Sequence, residues 1–169
     1  MNQKDFKSIV NIMGCTEALM PDPKYVVSDQ EIIRRITSLD DIYAVDRGGR
    51  SLLINASFYG RLAVVSYLIM QGSDINACDK LGFTSLHCAA QNGHAKVLHK
   101  LIAAGADVNA INSLGNNALM LCTHNTPIEV FEVLLQNGCN PYLKNKVGKT
   151  ACDKFSAYTW ITTLFTSNA

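Results

Sequence analysis

The sequence predicts an all-α fold, a solenoid of about four to five stacked helix–turn–helix units including the caps. The first observation is a 33-residue period in the glycines, which places in one column Gly49, Gly82, Gly115 and Gly148. A second glycine column has the same interval and holds Gly72, Gly105 and Gly138. Matching apolar columns lie between the two. A fixed period of this length is typical of proteins whose units stack to bury one continuous core.

The unit at residues 82–110 shows the helical pattern most clearly. Thr84 is placed to cap a first helix that runs to about Gln91. A second helix is predicted from His94 to about Ala103, because its apolar side chains recur three and four residues apart, at Val97, Leu98, Leu101 and Ile102. Helices of this length are marginal alone, so we expect them to gain stability by stacking on the neighbouring units.

The same unit reads GFTSLHCAAQNGHAKVLHKLIAAGADVNA, which is similar over nearly its whole length to the repeat signature of the ankyrin family. One clear departure is Ser85, where the family usually has proline. The resemblance covers residues 46–158 strongly. The chain is therefore identified as an ankyrin-repeat protein with units at residues 46–78, 79–111 and 112–144, followed by a C-terminal cap at residues 145–169.

The two ends are predicted to be caps. Residues 1–45 are assigned to an N-terminal capping segment with a degenerate repeat, whose second helix is EIIRRITSL and whose first helix would contain Pro21 and Pro23. A further helix is predicted upstream, in DFKSIVNIM. The last unit is predicted to keep its first helix and to shorten its second, with an apolar face at Trp160, Ile161, Leu164 and Phe165.

Composition argues against membrane and nucleic-acid partners. The formal net charge is +1, so no overall field draws the chain to a polyanion. The most apolar window, LAVVSYLIM, is too short to span a bilayer, and the first residues lack the apolar run of a signal peptide. We therefore expect a cytoplasmic monomer with reduced cysteines.

The neighbours His87 and Cys88 raise the question of catalysis or metal binding. Adjacent residues on a helix point about 100° apart, so this pair cannot face one another across a cleft. No zinc-ligand spacing, phosphate loop or dinucleotide fingerprint occurs. We expect no catalytic residue, no metal, no cofactor and no small-molecule substrate, and an enzyme that uses this pair is a less favoured alternative.

The resemblance implies instead that His87 is the structural histidine of the family, which hydrogen-bonds the backbone of the repeat turns. Two carboxylates also recur in one column at the junction between units, Asp46 and Asp79. Repetition of this kind indicates turn and capping roles rather than chemistry.

The resemblance further implies a concave face, formed by the long turns between units and the exposed side of the first helices. Carried over column by column, the expected partner-binding residues are Arg47, Arg50, Phe58, Tyr59, Lys80, Leu81, Phe83, Gln91, Asn92, Leu114, Asn116, His124, Asn125, Lys146, Lys149 and Tyr158. The set contains five basic residues and no acidic one. It also contains aromatic residues of the types enriched at interaction hot spots. The alternative interpretation is that the cations only solvate the turns.

These residues predict a non-catalytic module that binds another protein with an acidic surface. Because small stand-alone ankyrin proteins in bacteria are often antitoxins or immunity proteins, neutralisation of a toxin by direct binding is the alternative role that the resemblance implies. Nucleic-acid binding is less favoured, because five basic residues on a nearly neutral chain make a thin electrostatic footprint.

Overall fold

The computed structural model describes residues 3–13, 27–39 and 42–167. In this part of the chain the helices, in order, are α1 Gln3–Met13, α2 Asp29–Thr37, α3 Leu52–Phe58, α4 Leu62–Met70, α5 Ser85–Gln91, α6 Ala95–Ala103, α7 Ala118–Leu121, α8 Ile128–Gln136, α9 Ala151–Lys154 and α10 Thr159–Ser167. The described residues form no strand apart from two isolated bridges, Val45–Ser51 and Cys78–Thr84. The predicted all-α fold class is confirmed. No helix in these ranges is long and apolar enough to cross a membrane.

The helices form two layers. The odd-numbered helices α1, α3, α5, α7 and α9 contact one another in sequence, and so do the even-numbered helices α2, α4, α6, α8 and α10. From α1 to α8, each odd-numbered helix also contacts the even-numbered helix that follows it. The predicted solenoid of stacked helix–turn–helix units is therefore confirmed. Both helices predicted in the second unit are present, and Thr84 caps α5 as expected.

The core lies between the two layers and repeats with the sequence. Three leucines 33 residues apart, Leu68, Leu101 and Leu134, are fully buried in successive second helices. Small residues at Ala56 and Ala89 are equally buried in the first helices, which lets neighbouring helices approach closely. Each unit thus completes its apolar surface only against the next, as the short helices require.

Helix α1 occupies the first-helix layer at the N-terminal end. It packs on α2 and α3 and buries the side chains of Phe6, Ile9 and Met13. Helix α2 begins 33 residues before α4 and contains most of the predicted EIIRRITSL helix, with Ile32 and Ile36 buried. The predicted helix in DFKSIVNIM lies within α1. Pro21 and Pro23 lie outside the described residues.

The first helices differ in length between the two halves of the stack. Helices α3 and α5 have seven residues each, whereas α7 and α9 have four. The long ones lead into Gly60 and Gly93, whose φ values are +68° and +78°. Thr126 and Thr159 hold this column in the later units. A β-branched residue is strained at positive φ, so the chain leaves the first helix about one turn earlier.

This difference corrects the sequence prediction for the last unit. Its first helix, α9, is the shortened one. Its second helix, α10, has nine residues, as many as α4, α6 and α8. The buried side chains of α10 are Ile161 and Phe165, and α10 contacts α8 as predicted for packing on the third unit.

Candidate protein-binding surface

The turns between units share one construction. Asp79 accepts hydrogen bonds at Oδ1 from the backbone N–H groups of Leu81 and Phe83, both at 2.9 Å. The same two bonds, from the residues two and four positions on, are made by Asp46, Asn112 and Asn145. This is the side-chain-closed turn that Asp and Asn favour. The turn roles predicted for Asp46 and Asp79 are confirmed.

Main-chain hydrogen bonds join each turn to the next. The N–H of Lys80 donates to Gly48 O at 2.9 Å, that of Ser113 to Leu81 O at 2.9 Å, and that of Lys146 to Leu114 O at 3.0 Å. The approach is tight: a Cβ on Gly82, at φ +76°, would lie 2.9 Å from Ser113 N. The turn tips therefore form one continuous row whose backbone geometry is fixed.

Three of the large apolar residues in this row are exposed. Leu81, Leu114 and Val147 lie 33 residues apart, at the same position in their turns. Their side chains are 57%, 62% and 79% exposed, respectively. We call these three residues the tip row. Because exposed aliphatic side chains do not stabilise the fold by burial, an aligned set of them marks a surface that a partner can cover.

Basic residues surround the tip row. Arg47, Lys80, Lys146 and Lys149 are exposed, and no carboxylate of the described residues forms a salt bridge with any of them. Arg50 differs from these four, because its Nε lies 3.3 Å from Asp79 Oδ2. Four of the five predicted cations thus form no salt bridge among the described residues, although Lys149 is close enough to Asp153 to help lower the pKa of that carboxyl.

Side-chain bonds also connect neighbouring turns, with one exception. Arg50 pairs with Asp79, and Asn145 Nδ2 donates to Asn116 Oδ1 at 2.8 Å. In the central turns the equivalent pair is Phe83 and Asn112, and Asn112 Nδ2 is buried without a hydrogen-bond partner. A buried unsatisfied donor costs about 1–3 kcal/mol. Phe83 therefore occupies a position where a polar residue would serve the fold better, which is typical of functional residues.

Four residues of the predicted set lie at the ends of the first helices α3 and α5. Phe58 ends α3 and Tyr59 caps it, with their rings in edge contact. Gln91 and Asn92 hold the same positions at α5, where Asn92 Nδ2 donates to Cys88 O and so supports its own helix.

His124 and Asn125 are not at a helix end, contrary to the sequence prediction. They lie in the turn that follows α7, because that helix is a shortened one. Tyr158 likewise lies in the turn between α9 and α10 and not at the end of a first helix. The His124 ring stacks on Tyr158 with centroids 5.6 Å apart and so links the third and fourth units. His124 and Asn125 remain exposed.

A cleft between the third and fourth units adds residues that the sequence did not single out. It is lined by Asn116 and Lys149, which belong to the predicted set, and by five further residues, Met120, Asn145, Thr150, Asp153 and Lys154. Asp153 closes a capping box with Thr150, and hydrogen bonds from Thr150 lower the pKa of the Asp153 carboxyl. Lys154 Nζ donates to Met120 O and Cys122 O, both at 2.7 Å. Asp153 stands two repeat periods after His87, and both side chains complete the cap of their own helix. This shared position is the sequence signal that could have identified Asp153.

The His87 side chain is structural. It is fully buried, and Nδ1 accepts from the Thr84 N–H at 3.2 Å, so Nε2 carries the proton and donates to Asn116 O at 3.2 Å. Burial lowers the pKa of His87 and raises that of Cys88 to about 11, so the imidazole is neutral and the thiol protonated at neutral pH. Among the described residues, no group of His, Cys, Asp and Glu is arranged to hold a metal ion.

Comparison with known proteins agrees with this geometry. The family model described as ankyrin repeats (3 copies) matches residues 25–112 and again residues 52–145, which together exceed half of the chain. No curated protein shows significant similarity to the sequence. Ankyrin repeats are generally protein–protein interaction modules, and proteins built from them are typically non-catalytic. With its repeat period, two-layer stack and buried turn histidine, the chain belongs to the ankyrin-repeat family.

Proposed function

We propose that the chain is a non-catalytic module that binds a partner protein along its turn tips and concave face. The observation that carries this proposal is that cations without a salt bridge among the described residues and exposed aliphatic residues lie on one hydrogen-bonded row of turns. A rigid backbone presents these side chains with little ordering cost on binding.

The partner has an acidic surface in this proposal. Arg47, Lys80, Lys146 and Lys149 supply the complementary charge, which mainly raises the association rate and excludes basic partners. Affinity comes from apolar contacts that exclude water. Phe83 is the aromatic anchor, because it is half-buried at the centre of the stack and leaves Asn112 unsatisfied.

Three of the predicted residues use their side chains for hydrogen bonds within the chain. Arg50 is engaged by Asp79, Asn92 bonds its own helix, and the Asn116 side chain accepts from Asn145. The primary contact residues are therefore Arg47, Lys80, Leu81, Phe83, Leu114, Lys146 and Lys149. A second line of contacts comprises Phe58, Tyr59 and Gln91 at the ends of α3 and α5 and, in the turns after α7 and α9, His124, Asn125 and Tyr158.

A matched pair of charge-reversal variants tests the proposal. The test variant carries Lys80→Glu and Lys146→Glu in the turns, and the control carries Lys96→Glu and Lys100→Glu on the exposed side of α6. Each moves the formal net charge from +1 to −3. The immobilised chain and both variants are used to capture proteins from the cells that produce it, after thermal unfolding shows equal stability.

We expect wild type and control to retain the same partner and the turn variant to lose it. Equal capture by all three baits would show that the turn cations do not contribute. Loss on both variants would show that binding depends on overall charge and not on this surface.

A further inference from the structure

We propose that the bound segment of the partner is an acidic amphipathic α-helix that lies along the tip row. This inference rests on the proposed function and adds the secondary structure and residue pattern of the ligand. It is derived from the spacing of Leu81, Leu114 and Val147, their aliphatic character and the distribution of charge around them.

The spacing of the tip row follows from how the units stack. Each turn contributes two antiparallel segments, closed for instance by the Asp79 N–H bond to Phe83 O at 3.0 Å, and each turn is bonded to the next. Two strand spacings of about 4.8 Å place equivalent residues about 10 Å apart. Helices packed side by side in the first-helix layer, about 8–10 Å between axes, require a similar repeat.

An α-helix matches this spacing on one face. Seven residues rise about 10.5 Å and return the side chain to nearly the same direction. An extended strand advances about 10 Å in three residues, but its third side chain points to the opposite face. A helix with an apolar residue at every seventh position can therefore place one side chain on each tip, and three contacts need about 15 residues.

A polyproline II segment also advances about 9 Å in three residues, so spacing alone does not exclude it. Segments of that type are recognised by grooves lined with aromatic residues. The tip row is aliphatic at all three positions, Leu81, Leu114 and Val147, and Phe83 is the single aromatic residue of the turns between units, too few to line a groove. Regularly spaced aliphatic contacts are typical of an amphipathic helix that packs its apolar face on an apolar surface.

Charge specifies where the acidic residues of the helix lie. The residue directly before each tip is lysine in two turns, Lys80 and Lys146, but it is Ser113 in the turn between them. The acidic side chains are therefore needed beside the first and third apolar contacts and not beside the second. The row ends in the first unit, where Gly48 occupies the tip position and has no side chain to contribute.

Synthetic peptides test the inference without knowledge of the natural partner. The first probe is a helical peptide of about 18 residues with leucine at every seventh position and glutamate beside the first and third leucines. The second has the same composition with the leucines spread around the helix, the third places glutamate beside the second leucine only, and the fourth is proline-rich with leucine at every third position. Binding is measured by fluorescence anisotropy at fixed ionic strength.

We expect the first probe to bind at least tenfold more tightly than each of the others. Leu114→Ser should weaken that binding at least tenfold, whereas Met70→Ser, a similarly exposed residue at the end of α4, should not change it. Tighter binding of the proline-rich probe, or equal binding of the first two probes, would overturn the helical ligand. If no probe binds but charge-dependent capture of a cellular partner persists, the helix inference fails while the proposed function stands.

Discussion

Replacement of Ser85 by proline should stabilise the chain. Ser85 is the first residue of α5, directly after its N-cap Thr84. Its hydroxyl is buried without a hydrogen-bond partner. The N–H of a first helical residue has no acceptor within the helix, so proline removes no helical hydrogen bond there and its fixed φ suits the position.

The expected gain has two sources. Removal of a buried unsatisfied hydroxyl recovers about 1 kcal/mol, at the low end of such penalties. Restriction of the unfolded chain by proline adds about 0.4–1 kcal/mol. The total of about 1.5–2 kcal/mol corresponds to a rise in Tm of about 3–8 °C for a chain of this size. Urea and thermal unfolding followed by circular dichroism measure both quantities.

Two single variants separate these sources. Ser85→Ala removes the hydroxyl without adding the ring, and Ala118→Pro adds the ring at the equivalent position of α7, where there is no hydroxyl to remove. We expect each to stabilise by less than Ser85→Pro, and their gains to sum approximately to it. A loss of stability in Ser85→Ala would show that the hydroxyl has a favourable partner and would refute the reasoning.

Three further predictions concern buried and partly buried groups. Burial holds the folded-state pKa of His87 below its ordinary value of 6.5. Protonation of this histidine therefore favours the unfolded chain, and only once the pH falls below about 6.5. The free energy of unfolding should fall from pH 7.5 to 5.5, less so in His87→Gln, and a flat wild-type profile would contradict this. Lys154→Met should cost about 1 kcal/mol in urea unfolding by freeing two carbonyls near the end of α7, with Lys149→Met neutral. Cys88, whose pKa is raised to about 11, should resist a thiol reagent until unfolding, whereas exposed Cys78 reacts; rapid labelling of Cys88 in the folded chain would contradict its burial.

The repeat period was sufficient to predict the helices whose ends are set locally. Thr84 and the glycine after α5 determine both ends of that helix, and both are visible in the sequence. The short first helices of the later units were missed, because the consequence of threonine at positions 126 and 159 depends on the φ that the connection needs. Pattern alone does not show that requirement.

The N-terminal helix illustrates a different limit. The spacing of Phe6, Ile9 and Met13 indicates an amphipathic helix, and α1 is present there. Its packing on α3 is a long-range contact outside the 33-residue register, so periodicity could not assign its place in the stack. Arg61 helps to hold the end of α1 by donating to Met13 O at 2.8 Å, which likewise joins residues far apart in sequence.

The sequence predicted which repeat positions lie in the turns, but not which of those residues contact each other in neighbouring turns. Most turn residues of the predicted set are exposed, whereas Phe83 and Asn116 are partly buried. What the columns could not show is that Arg50 contacts Asp79 in the next turn, whereas Asn112, which stands in the same relation to Phe83, is left with an unsatisfied Nδ2. This pairing neutralises Arg50 and singles out Phe83, and it depends on three-dimensional stacking.

Photocrosslinking tests the central claim most directly. The photoreactive amino acid p-benzoylphenylalanine replaces Leu114 in the tip row. In the matched control it replaces Lys100 on α6. Both residues are exposed. After irradiation in the cells that produce the chain, the adducts are identified by mass spectrometry. We expect one partner protein linked to position 114, through an acidic helical segment, and none linked to position 100. A partner linked to position 100 and absent from position 114 would contradict binding along the turn tips.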